Sequence, residues 1–113
     1  MLFALPLVFL TACSIILPKP HDPVMFGDLV EVKIGMDSMT CRGDKSGWQD
    51  TQNKIHKLAV YTDLRQDPQS QSIIQLQEAV GKARDSKNVL FCESVLKINR
   101  TRLDVIAEAW RGR

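Results

Sequence analysis

The sequence predicts an all-α fold, a small up-down helical bundle of about four helices. Apolar residues recur at three- and four-residue steps in four consecutive segments between residues 22 and 113, and short stretches carrying Asp-Pro, Gly or Ser separate them. Helices with one apolar stripe, joined by short loops, bury those stripes by packing antiparallel to their neighbours.

The first segment opens at Asp22-Pro23, where a carboxylate can accept the free N–H groups of a first turn and proline fits its first position. Met25, Leu29, Val32, Met36 and Met39 then follow at helical spacing. A strand competes over residues 30–36, because Val30, Val32, Ile34 and Met36 alternate and Gly35 weakens a helix by about 1 kcal/mol. No second convincing strand exists to pair with it, which favours the helix. Residues 41–45 read as a loop, and Ser46-Gly47-Trp48-Gln49 has the Ser-x-x-Gln form of a capping box that starts a second helix. Its inner stripe is Ile55, Leu58, Ala59 and Thr62, flanked by Tyr61, and it runs out near Gln66. Asp67-Pro68 repeats the cap-and-proline signal before a third stripe of Ile73, Leu76, Val80 and Ala83, ending near Asp85. The last segment carries Val89, Cys92, Leu96, Asn99, Leu103, Ile106 and Trp110 at strict three- and four-residue steps. Heptad spacing in the first and last segments would serve an intermolecular coiled coil as readily as a bundle, so the oligomeric state stays open.

The chain has 113 residues, of which a quarter are charged, with a formal net charge of +2. That balance argues against a nucleic-acid binder and an acidic tail, and few prolines and glycines argue against a low-complexity chain. No internal repeat is visible. A nucleophile needs an adjacent base and an oxyanion donor, and no glycine-rich or Gly-x-Ser-x-Gly turn would present them. There is no CxxC or HxxxH spacing for a metal. His21 and His56 stand alone in the sequence, and Asp28 with Glu31, or Glu78 with Asp85, read as helix-surface charges. A protein that is not an enzyme, and that holds neither metal nor cofactor, is the expectation.

The N-terminus points to a compartment. Leu10-Thr11-Ala12-Cys13 follows nine mostly apolar residues, and over residues 2–14 this resembles the signal of a bacterial lipoprotein. The resemblance implies cleavage between Ala12 and Cys13 and lipidation of Cys13, with each buried methylene contributing ~0.8 kcal/mol to anchoring. Ser14 resembles the residues that permit export to the outer membrane. No Lys or Arg precedes Lys19, a departure from the basic leader of such signals that fits a start upstream of Met1. Pro6, Thr11 and Ser14 break the run that a membrane-spanning helix of about twenty apolar residues would need. The chain thus divides into a signal peptide over 1–12, a lipidated tether over 13–21 and a helical periplasmic domain over 22–113.

With Cys13 taken by lipid, Cys41 and Cys92 remain as a pair in an oxidising periplasm, where a disulfide is the economical reading. In an up-down-up-down bundle the end of the first helix and the start of the fourth lie at the same end. Both cysteines fall there, an arrangement that allows the approach to within about 7 Å between Cα atoms that a disulfide needs.

Three features suit partner recognition. Val60, Leu64 and Ile74 project away from their inner stripes. Asn99 is polar within the fourth seam, where it would fix register or a partner helix, or be a satisfied core amide. Arg100, Arg102, Arg111 and Arg113 gather around Trp110, where they would meet an anionic surface or complement the helix dipole. In size and plan the chain resembles small lipoproteins of tailed phages, including outer-membrane spanin subunits of lysis and lipoproteins that block a receptor against superinfection. That resemblance implies a non-catalytic, outer-membrane-anchored module whose partner is another envelope protein. The alternative is a periplasmic inhibitor of a soluble enzyme such as a lysozyme, acting through the Arg42-Gly43-Asp44-Lys45 loop.

Overall fold

The computed structural model describes residues 20–113, so the expected signal peptide, the expected lipidation at Cys13 and most of the expected tether lie outside the described residues. Four helices follow in order: α1 (Pro23–Asp37), α2 (Trp48–Leu64), α3 (Ser70–Asp85) and α4 (Val89–Arg111). Each packs on the next and α1 closes on α4, giving the up-down bundle.

α1 begins where the sequence places it. Asp22 Oδ1 accepts the amides of Val24 and Met25 at 3.0 and 3.1 Å, with Pro23 in the first helical position. Residues 30–36 are helical, and packing decides it. Val32 and Met36 are buried while Val30 and Ile34 face outward, whereas a strand would put all four on one face. Gly35 has a packing reason as well: a Cβ there would fall 2.3 Å from Thr51 Oγ1, so the bare backbone is what lets α1 approach α2.

The capping box at residues 46–49 does not form. The helix starts at Trp48 with Gly47 at its cap, which puts Gln49 one position too early to reach back. The Ser46 hydroxyl donates instead to Asp44 Oδ2 at 2.6 Å, a charged acceptor two residues away, and Gln49 Nε2 donates to Asn53. α2 ends in a Schellman arrangement, with Gln66 in the left-handed region at φ 54° and the Asp67 and Gln66 amides returning to Thr62 O and Asp63 O. Asp67-Pro68 does not cap α3 directly. Asp67 Oδ2 accepts from the Gln69 amide at 2.8 Å, a turn intervenes, and α3 starts at Ser70. α4 is capped by Asn88 Oδ1, which accepts from the Phe91 amide.

The buried stripes match the sequence reading except at Val89, which is only partly buried against the core, and Trp48, Thr51 and Cys41 join the interior. Cys41 and Cys92 form a disulfide with their Cα atoms 5.9 Å apart, at the expected end of the bundle. No helix among the described residues is long and apolar enough to cross a membrane.

Candidate functional site

Side chains from remote parts of the chain fasten both ends of the bundle. At the N-terminal end, the Asp22 carboxylate that caps α1 also accepts from Tyr61 Oη at 2.7 Å and pairs with Arg65 at 3.0 Å. The Tyr61 hydrogen bond and the Arg65 charge outweigh partial burial and hold Asp22 below the usual carboxylate range, while the same hydrogen bond raises Tyr61. Beside it, buried Asp67 accepts from Trp110 Nε1 at 3.1 Å, from Arg113 and from the Gln69 amide. Burial alone would raise Asp67, and these three donors reverse it, so its pKa is lowered.

The opposite end uses cations. Lys45 Nζ donates to the carbonyls of Ala83, Arg84 and Ser86 at 3.0–3.3 Å, closing the C-terminus of α3. Arg100 donates to Met36 O and Met39 O at 2.8 and 3.0 Å and closes α1 in the same way. Trp48 Nε1 donates to Thr40 O, and Lys45 lies over the Trp48 ring at 5.4 Å. With the disulfide, these contacts hold the loop between α1 and α2 from several sides.

This network reassigns part of the sequence-predicted surface. Trp110 is 1% exposed and belongs to the core, since its indole fills the bundle end and its N–H is spent on Asp67. Asn99 is a satisfied core amide: its Nδ2 donates to Val95 O and its Oδ1 accepts from Arg102. The arginines form no free cationic patch, because Arg100 caps α1, Arg102 binds Asn99, Arg113 binds Asp67 and Arg111, although exposed, pairs with Glu108. Val60 and Leu64 do face solvent, Leu64 at 79%, while Ile74 is half-buried against the core. His56 is exposed, with Nδ1 2.9 Å from Gln77 Nε2, and that pairing of antiparallel helices puts Val60, one turn on, level with Ile74.

A larger surface emerges on α1. Val30 and Ile34 are 45% and 62% exposed although the opposite side of the helix is fully buried, so α1 is apolar on both faces. Phe26, Val30 and Ile34 line a groove of about 350 Å³ against Leu103 and Ala107 of α4, rimmed by Lys33–Asp104 and Arg111–Glu108 ion pairs. On the other side of Ile34, a cleft of about 550 Å³ opens between α1, the 38–47 loop and the first turns of α2. The signal for this face was the alternation of Val30, Val32, Ile34 and Met36, which marks a helix with apolar residues on two faces as well as it marks a strand. Among the described residues no three His, Cys, Asp or Glu side chains gather as metal ligands.

Comparison with protein-family models, with curated proteins and with solved structures finds no match to this chain.

Proposed function

We propose that this chain is an outer-membrane lipoprotein, anchored through Cys13, that works in the periplasm as a non-catalytic module binding another envelope protein. The observation that carries the reading is the outward face of α1. A helix that carries large apolar residues on its solvent side as well as its core side is expected to be covered there, and among the described residues Val30 and Ile34 have no neighbour to cover them. The lipoprotein-like signal supplies the location. Eight residues lie between Cys13 and Asp22, a reach of about 30 Å at most, so the Asp22–Asp67 end is the one tethered to the membrane. α1 then carries Ile34 and the cleft away from the bilayer, where an envelope partner can reach them. Receptor blocking by a phage-encoded lipoprotein and a spanin-like role in lysis both fit this plan.

A photocrosslinking amino acid at position 34, with one at exposed Gln75 as the control, tests the reading in intact cells. The expected result is one envelope protein crosslinked from position 34, absent at position 75 and lost in Cys13→Ala. Equal capture at both positions, or none at 34, overturns it. A second reading, inhibition of a soluble enzyme such as a lysozyme, draws support from the Arg42–Lys45 loop, which is held rigidly by the disulfide and Lys45. Capture of a soluble hydrolase from residue 43 instead of residue 34 would favour it.

A further inference from the structure

We infer that the cleft beside Ile34 receives an arginine or lysine side chain from an extended segment of the partner protein. The inference rests on the reading of α1 as a partner surface, and it names the chemistry of what docks there. Three acids belong to the cleft: Glu31 from α1, Asp44 from the loop and Asp50 from α2. Lys54 offsets Asp50 at 3.2 Å, and Asp44 is held ionised by the Ser46 hydroxyl and amide, which leaves the cleft net negative in a chain of net charge +2. Ile34, Met39 and Trp48 supply apolar walls of the kind that accept the methylene stem of a long cationic side chain.

An independent feature points to a hydrogen-bonding ligand. Thr51 lines the cleft and is only 6% exposed, and its hydroxyl bonds to no described residue while, unlike Asp28 Oδ2 and Ser70 Oγ, it is not sealed from solvent. Threonine at this depth ordinarily bonds back to its own helix, as Thr62 does to Leu58 O at 2.9 Å. The Thr51 hydroxyl instead lies against the bare Cα of Gly35, another residue of the cleft. A guanidinium or ammonium group brings several donors and no acceptor, so one donor can reach Thr51 Oγ1 while the others meet the carboxylates. The cleft is also held open in advance, because the disulfide, Lys45 and the Trp48–Thr40 hydrogen bond fix the loop that forms its wall.

The test is a nuclear magnetic resonance titration of the oxidised full chain in zwitterionic micelles with a blocked Ala-Arg-Ala-Arg-Ala peptide, and with the same peptide carrying citrulline, which keeps the shape and removes the charge. The expected result is amide and indole shifts confined to residues 31, 48 and 51 and their neighbours, with the citrulline peptide binding at least about tenfold more weakly. Glu31→Gln and Asp50→Asn, both at exposed positions, each weaken the arginine peptide about threefold or more, and Asp104→Asn on the far groove leaves it unchanged. Equal binding of the two peptides, shifts centred elsewhere, or no shifts at 10 mM overturn the inference. Crosslinking from position 34 with no peptide binding would leave the partner surface standing and remove this ligand; peptide binding without crosslinking would do the reverse.

Discussion

Asp67 shows how much a single residue can hide from sequence reading. As half of an Asp-Pro pair it reads as a helix cap, and it does bind one amide at the start of α3. Its larger role joins Trp110 and Arg113, more than forty residues away, and no local pattern announces that. The same contact explains why Trp110 reads in two ways: its place in the α4 stripe says core, the arginines around it say surface, and only the position of Asp67 decides. Because the folded pKa of Asp67 is lowered, its contribution to stability is complete above the unfolded value of about 3.9 and is lost as pH falls through the lower folded value. Asp67→Asn should therefore cost about 2 kcal/mol at pH 7, the scale of hydrogen bonds to a buried charged group. Urea unfolding of both proteins from pH 7 to pH 2 should show that difference shrinking below pH 4. A difference independent of pH would mean that shape, not charge, is what Asp67 supplies.

Among the elements, α4 was legible throughout because every buried position falls on one stripe at helical spacing and Asn88 stands at its start. α1 was less legible, because Val30 and Ile34 outside are as apolar as the inward residues and periodicity blurs, and the Asp22-Pro23 cap, the helical spacing and the want of a second strand together favoured the helix. The start of α2 was misread for a local reason: Ser46 and Gln49 satisfy the letters of a capping box, but Asp44 captures the serine hydroxyl and the helix begins one residue too late. This distinction has a measurable consequence. Asn88→Ala removes an N-cap hydrogen bond and should destabilise the protein by about 1 kcal/mol. Ser46→Ala removes only an exposed contact to Asp44 and should change the urea midpoint by less than about 0.5 kcal/mol. If the two variants lose equal stability, Ser46 caps α2 in solution after all.

For the molecule as a whole, the two ends of the bundle are fastened by different chemistry, and this makes them separable. Buried carboxylates tie the Asp22–Asp67 end through Tyr61, Arg65, Trp110 and Arg113. The far end relies on the Cys41–Cys92 disulfide, with Lys45 and Arg100 closing the helix termini around it. The disulfide joins residues 51 apart and so encloses all of α2 and α3, which in the loop-entropy account is worth about 4 kcal/mol. A small domain has a total stability of about 5–15 kcal/mol, so this one bond is a large part of it. Cys41→Ser/Cys92→Ser should lower the urea midpoint accordingly, and hydrogen exchange should locate the loss. Amides of residues 38–47 and the first turns of α4 should exchange faster, while those near Trp110 keep most of their protection, because Asp67 and its donors do not depend on the bridge. The cleft beside Ile34 shares a wall with that loop, so losing the disulfide should also loosen the preformed site while the outward face of α1 persists. Uniform loss of protection along all four helices would show instead that the ends are coupled, and that the bridge stabilises the bundle only by restricting the unfolded chain.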